Sequence, residues 1–255
     1  MKNKSFIIIF LVLCILFIMS GCDGSSSSSD DPAGIVGSKY SSVPEDRSGV
    51  SVGDIVFADK KTCTAANYKA DAASYAEAGD VVGIVVYKGE TDSVGITDKV
   101  YLIGLNQGTD LIWAPDATTG YTTEFGTSKT AGEGNWAVIE TTDAAGAADA
   151  ATNYPAFNYA KTYRTTGYTE GWFLPSFNEI RNIYDARYKI NDGVDAITAV
   201  GGSAAKLPTS GYLCSSSQSE GNADCISRVA LNNGAGSGFG DKKSAYVVRV
   251  VHTLD

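Results

Sequence analysis

Gly171-Trp172-Phe173-Leu174-Pro175-Ser176 runs into Phe177-Asn178-Glu179-Ile180-Arg181-Asn182-Ile183-Tyr184, and this junction decides how the rest of the chain is read. Ser176 stands directly after a proline with Glu179 three residues on, the pattern of an N-cap completed into a capping box. The spacing predicts a helix whose inner face carries Phe177, Ile180, Ile183 and Tyr184, while Glu179, Arg181 and Asn182 point to water. Leu174 and Trp172 lie just before the cap, where both can pack as core residues against the entering helix.

Downstream, residues 185–210 hold Gly193, Gly201, Gly202 and Pro208 and read as a loop excursion. Leu213 to Ser216 and Asp224 to Leu231 then read as the arms of a hairpin around the polar run Ser217 to Ala223. Asn232-Asn233-Gly234 marks a tight turn, because Asn and Gly accept positive φ. Tyr246 to Val251 is a final apolar strand that can close the sheet. Strand side chains alternate, so turning Val229 and Leu231 to the core sends Arg228 and Ala230 outward, with Ile226 and Asp224 on the same outer face. Aromatic residues and Arg anchor interfaces, which makes Arg228, Phe239 and Tyr246 the expected contacts. The alternative is a hairpin without a ligand, or one with Phe239 and Tyr246 buried.

Upstream, Val52 to Phe57 and Thr62 to Thr64 read as two short strands around the polar turn Asp59-Lys60-Lys61. Val81 to Tyr87 and Lys99 to Leu105 are β-branched runs bounded by Gly and Asp, strands with at least one buried face. Ala114 to Thr152 shows no firm period and reads as irregular. Tyr154 to Tyr163 carries Phe157, Ala160 and Tyr163 at the spacing of a short amphipathic helix.

The N-terminus reads as an export signal over residues 1–21. Lys2 and Lys4 precede the apolar run Phe6 to Ile18, and Met19-Ser20-Gly21-Cys22 ends it in a sequence that resembles a bacterial lipobox. That run falls short of the ~20 residues that span a bilayer. Cys22 is then the expected lipid attachment site and first mature residue, held by acyl chains at ~0.8 kcal/mol per buried methylene. Residues 22–48, with Ser25 to Ser29, Asp30 and Asp31, offer almost nothing to bury and read as a flexible tether. Removing Lys2 and Lys4 moves the formal charge from −9 to −11 (−9 − 2). Without clustered Lys and Arg in so acidic a chain, a nucleic-acid partner is not expected.

Taken in order, the Trp-x-Leu-Pro-Ser helix start, Tyr212-x-x-Ser215-Ser216-Ser217, the Asn-Asn-Gly turn and the closing Val248-Arg249-x-Val251 resemble a known family. It is the C-type-lectin-like domain of many bacterial lipoproteins and of the variable proteins of diversity-generating retroelements, including spirochaete surface lipoproteins. Its fold is related to that of formylglycine-generating enzyme. The resemblance is firmest over Phe157 to Val251 and weaker over Val52 to Tyr87.

The resemblance implies an α+β domain over residues 49–255, with small twisted antiparallel sheets, two helices and long irregular loops. It implies a monomeric binding protein that needs no cofactor or metal and presents replaceable side chains from hairpins within 211–251. The expected display set is Asp224, Ile226, Arg228, Ala230, Ser237, Phe239, Ser244 and Tyr246, with an unknown protein or glycan ligand outside the cell. The implied location is the bacterial envelope, lipid-anchored, at the outer membrane surface. The alternatives are a structural envelope lipoprotein without a dedicated ligand, or a copper enzyme of the formylglycine-generating type.

Cys14 leaves with the export signal, so Cys63, Cys214 and Cys225 remain in a setting where disulfides form. Cys214 and Cys225 lie on adjacent arms of the hairpin and can bridge if their Cα atoms come within ~7 Å. Otherwise Cys214 stands where the family commonly has Trp after Tyr, as a buried or variable thiol. The single histidine, His252, has no visible partners for a catalytic triad or a metal site. The Glu-Pro-Asn, Gln-Pro-Asp and Trp-Asn-Asp signatures of calcium-dependent lectins are missing from the sequence.

Overall fold

The computed structural model describes residues 49–89 and 99–254. Cys22, the apolar run before it and the tether lie outside the described residues. The described chain opens with β1 (Ile55–Phe57), β2 (Thr62–Cys63) and α1 (Ala65–Ala70), then a 3-10 turn at Ala72–Ala78. After it come β3 (Val81–Lys88), β4 (Val100–Gly104) and β5 (Gly108–Ile112). A helical stretch follows, with α2 (Thr119–Thr122), α3 (Asn135–Thr142), α4 (Ala144–Ala148), α5 (Ala150–Asn153), α6 (Pro155–Thr162), α7 (Phe177–Asp185) and α8 (Arg187–Ala199). The C-terminal part supplies β6 (Tyr212–Gln218), β7 (Cys225–Ala230), β8 (Gly236–Asp241), β9 (Ala245–Val248) and β10 (Val251–Leu254).

The strands form two five-stranded sheets, ordered β10-β4-β3-β1-β2 and β5-β9-β6-β7-β8. The first is antiparallel throughout; the second contains one parallel pair, β6 with β9, at Leu213↔Val247. The architecture is α+β.

The inner strands of both sheets are buried on both faces, while the edge strands β5 and β8 are largely exposed or half-buried. In β3, Val82 and Val85 join a core with Trp113, Ile139, Tyr154 and Phe157, while Ile84 and Val86 join another with Ile180, Ile190 and Val194. In the second sheet Cys214, Ile226, Tyr246 and Val248 belong to the first of these cores, and Leu213 and Val229 to the second. Two-sided burial accounts for near-continuous apolar runs where a half-solvated strand would alternate.

The capping box of α7 forms as the sequence predicts: Ser176 Oγ accepts from the Glu179 N–H, and Glu179 Oε2 accepts from the Ser176 N–H at 2.7 Å. Glu179 departs from the expectation that it points to water, for it is buried and also accepts the Gly132 N–H at 3.0 Å. A Cβ at Gly132 would come within 2.5 Å of the Ser176 nitrogen, so only glycine lets that loop close over the cap. Burial raises the Glu179 pKa, and the Ser176 and Gly132 N–H groups pull it partly back.

Three sequence expectations are corrected. Residues 185–210 contain α8, whose Ile190, Val194 and Ile197 form an inner stripe. Gly193 sits on that helix because a Cβ there would meet Ile84 Cδ1 at 2.9 Å. Ala114 to Thr152 contains α2 to α5, short helices that turn often enough to erase a single period; Asp143 caps α4 by accepting the Gly146 N–H at 3.0 Å. The expected closing strand splits, since β9 pairs with β5 and β6, whereas β10 pairs with β4 in the other sheet. Arg249 and Val250 make the crossing, both buried.

Candidate functional site

The hairpins of the second sheet carry the residues expected to face a ligand. In β6 and β7 Tyr212 stands opposite Ala230, Cys214 opposite Arg228, and Gln218 opposite Ile226. Four residues of β6 thus match two of β7, and the extra length, a bulge, turns Ser215, Ser216 and Ser217 out of the ladder. Their hydroxyls are spent inside the protein. Ser216 Oγ accepts from Asn135 Nδ2 at 2.7 Å, Ser217 Oγ donates to Ser128 O at 2.7 Å, and Ser215 Oγ donates to Ser227 O. Gln218 Oε1 accepts the Phe125 N–H while its amide donates to Ala223 O. The Ser-Ser-Ser-Gln run is the anchor of the 123–135 loop.

Across β7 and β8 the register pairs Arg228 with Ser237, Ile226 with Gly240 and Cys225 with Asp241, with a bulge between the first two pairs. Arg228 leans on Tyr212, its guanidinium 3.7 Å from the ring centroid, with the Tyr246 ring 6.0 Å away. Gly240 leaves the space this needs, since a Cβ there would come within 2.8 Å of Arg228 Cδ and of the Tyr246 hydroxyl. Phe239, on the edge strand β8, is 73% exposed, and its N–H donates to Ser237 Oγ at 3.1 Å.

The expected display set therefore divides. Phe239 and Asp224 are exposed and Arg228, Ser237 and Ser244 half-buried, whereas Ile226, Ala230 and Tyr246 are buried. For those three the outward placement is corrected. The alternation puts Ile226, Arg228 and Ala230 on one face as expected, but the first core covers that face at Ile226, while Arg228 stays half-exposed against Tyr212. The Tyr246 hydroxyl donates to Asp241 O at 2.7 Å, and burial pushes its pKa up to about 12. Arg228, Ser237 and Phe239 gather at the middle of the hairpin, while Asp224 and Ser244 lie toward its other end, beside Asp241. Tyr212, 38% exposed, was not among the sequence candidates. Its signal was available, as an aromatic residue two positions before Cys214 on the same strand face.

Cys214 and Cys225 are free thiols, so of the two alternatives the structure has the unbridged one. Cys214 faces Arg228 across the hairpin, three residues along β7 from Cys225, which faces Asp241 on the other side. Burial raises the pKa of both thiols. Cys63 is also free and buried, its pKa pushed up to about 12 by desolvation and by Asp54. His252 is held by ring contacts with Tyr168 and Trp172, and its Nε2 lies 2.9 Å from Glu170 O. Among the described residues no group of three His, Cys, Asp or Glu side chains stands close enough to hold a metal ion.

Two buried cations brace the sheet that carries the site. Lys242 Nζ donates to Gly120 O at 2.8 Å and Thr123 O at 3.0 Å, with Trp113 and Phe125 ring centroids at 4.6 and 4.9 Å. Burial pulls its pKa down to about 7, against the upward effect of Asp224 and Cys225. Arg249 donates to Ala205 O and Gly104 O at 2.7 and 2.6 Å, tying the crossing segment to both sides of the fold. Burial lowers its pKa to about 10, so it stays charged at neutral pH.

No family model matches the chain, and neither does any curated protein. Among solved structures the chain is similar to a fimbrial protein from Bacteroides ovatus, with a TM-score of 0.52 and 16% identity. The match covers 79% of this chain and 48% of that one, so this chain spans about half the length of the protein it resembles. Among the described residues no helix is long and apolar enough to cross a membrane. At that identity the likeness is one of fold, and it accords with the α+β architecture described above.

Proposed function

We propose that this protein is a lipid-anchored binding module on the outer face of a bacterial envelope, a C-type-lectin-like scaffold that presents ligand-contacting side chains from β6, β7 and β8. The observation that carries the reading is the Tyr212–Arg228 stack, half-exposed on a sheet whose inner strands are otherwise packed into two cores. Tyr and Arg are the residue types that dominate interface energetics, and a stacked pair loses little freedom on binding. Phe239 adds an exposed aromatic on the adjoining edge strand. Anchoring through Cys22 follows from the lipobox-like sequence, and the fimbrial neighbour is in keeping with a location in the envelope.

In its sharper form the reading is of a retroelement-diversified display protein. Variation would then fall on Asp224, Arg228, Ser237, Phe239 and Ser244, and spare Ile226, Ala230 and Tyr246, which the fold consumes. The test combines two measurements. Palmitate incorporation should occur in the full chain and vanish in Cys22→Ser. Purified protein starting after Cys22 should bind in saturable fashion to some member of a glycan and envelope-protein array, with at least a tenfold loss in Arg228→Ala and Tyr212→Ala. Binding that ignores both substitutions, or none at all, would return the protein to the class of structural envelope lipoproteins. A near-identical repeat beside the gene, differing only at adenines, together with a reverse-transcriptase gene, would select the diversified form.

A further inference from the structure

Within residues 211–251 the acidic side chains are Glu220, Asp224 and Asp241, and the basic ones are Arg228, Lys242, Lys243 and Arg249. Each acid already has a lysine. Glu220 pairs with Lys129 at 3.3 Å, Asp224 acts on the buried Lys242, and Asp241 accepts the Lys243 N–H at 3.0 Å while lying in charge range of its ammonium. Arg249 is spent on the carbonyls of Ala205 and Gly104. Arg228 is left over. Among the described residues it makes no ion pair and no hydrogen bond, and the ion pairs that do form there all use lysine. We infer that Arg228 takes an acidic side chain of a partner protein, with Ser237 completing the donor set and Phe239 meeting an apolar residue beside the acid.

The stack prepares this cation for a partner. The Tyr212 ring, 3.7 Å from the guanidinium, fixes its plane, so binding costs little further side-chain ordering. The Arg228 Nε–H is shut off from water and meets no acceptor. Part of the desolvation is therefore complete in the folded protein, and a charge that reaches the two terminal nitrogens competes with less water. Ser237 stands opposite Arg228 in the register. Its Oγ accepts the Phe239 N–H at 3.1 Å, which leaves the hydroxyl proton to donate. The pair thus offers N–H and O–H donors, and the group that matches them is one that only accepts, an ionised carboxylate with two oxygens for the guanidinium fork.

Phe239, 73% exposed and two residues from Ser237, decides where the carboxylate comes from. A small free acid fills the fork and leaves that ring in water. A protein segment with an apolar residue next to its Asp or Glu covers both, the combination of aromatic and Arg anchors that dominates protein interfaces. The chain's net charge of −9 opposes an acidic partner at long range. Beyond the ~8 Å screening length at physiological salt that repulsion is damped, and at contact the uncompensated Arg228 governs.

The inference rests on the hairpin reading and names the chemistry of its partner. The test follows the Arg228 Nε–H and Ser237 amide resonances of protein starting after Cys22 by NMR, during titration with the peptide acetyl-Leu-Glu-Phe-amide and with its Gln counterpart. The Glu peptide should bind saturably and the Gln peptide about fivefold more weakly, the value of one exposed ion pair. Arg228→Lys, which keeps the charge but loses the fork, should weaken binding of the Glu peptide about threefold, and Tyr212→Phe, which keeps the ring, should leave it within about twofold. No binding of either peptide, or equal binding of both, would overturn the inference. The hairpin reading would survive that result if the array partner is still lost in Arg228→Ala and Tyr212→Ala, whereas array binding that ignores those substitutions removes both. Glucuronate binding as tightly as the Glu peptide, or displacement of that peptide by equimolar inorganic phosphate, would also overturn the inference, marking a site for small acids or for anions in general.

Discussion

Arg228 and Tyr212 meet face to face across the β6–β7 hairpin, the guanidinium 3.7 Å from the ring centroid, with Tyr246 closing the far side from within the core. A planar cation on an aromatic face is worth about 0.5–1 kcal/mol at an exposed site. Arg228→Lys should loosen it, because an ammonium lacks the flat surface that stacks. The expected loss of stability is under about 1 kcal/mol by urea unfolding. A loss several times larger would mean that Arg228 is structural and the display reading is misplaced.

Glu179 ties the α7 cap to the Gly132 loop through one carboxylate oxygen, Oε2. Glu179→Ala leaves two buried N–H groups without acceptors, at about 1–3 kcal/mol each, so a total of roughly 3 kcal/mol is expected. Glu179→Gln should cost less than half as much, since its amide oxygen can take both bonds. Urea denaturation of the two variants measures the difference.

Lys242 should make stability depend on pH in an unusual direction. Its folded pKa lies at about 7, below its ordinary 10.5, so between these values the unfolded chain binds the extra proton. Stability therefore rises with pH through that window and levels off above it. Urea unfolding from pH 6 to 9.5 should show the rise in the wild type and a flatter profile in Lys242→Met. Asp224 and the Cys225 thiol, the titratable neighbours, remain in both proteins. Identical profiles would show that the two carbonyls and the Trp113 and Phe125 faces keep the ammonium fully charged.

Gly234 holds φ +74° in the turn between β7 and β8, and a Cβ there would strike the Tyr184 ring. Gly234→Ala should destabilise by about 1–2 kcal/mol from the left-handed backbone alone, with more from displacing Tyr184. Hydrogen exchange at the Ala230 amide, which donates to Ala235 O at 2.9 Å, should accelerate with it.

Cys225 is the one half-buried thiol of the three in the described residues. In protein starting after Cys22, a thiol reagent should label Cys225 slowly in the native state. Cys63 and Cys214 should react only after unfolding, and the mass should be unchanged by prior reduction. A two-dalton mass increase on reduction would restore the Cys214–Cys225 bridge.

Which features the sequence disclosed follows from how local their causes are. The α7 start was legible because a capping box closes within four residues, and the turn at Asn232-Asn233-Gly234 because it depends on φ alone. Helix α8 was hidden by Gly193, which looks like a breaker until Ile84 is seen pressed against it. Alternation correctly set Ile226, Arg228 and Ala230 on one face. It could not reveal that Ile226 joins a core with Trp113, Tyr154 and Phe157, which are distant in sequence. Glu179 was misdirected for the same reason, since the loop that covers it begins almost fifty residues earlier. The serine run was visible as the end of a strand, but its role emerges only with Asn135 and Ser128 in place.

The crossing at Arg249 and Val250 bears on how the molecule is made. Strand β9 joins β5 to β6, and β10 pairs beside β4, so each sheet is incomplete until the segment 245–254 has joined it. Pairings so distant along the chain close large loops before any contact rewards them, so completion of the two sheets is the slow part of folding.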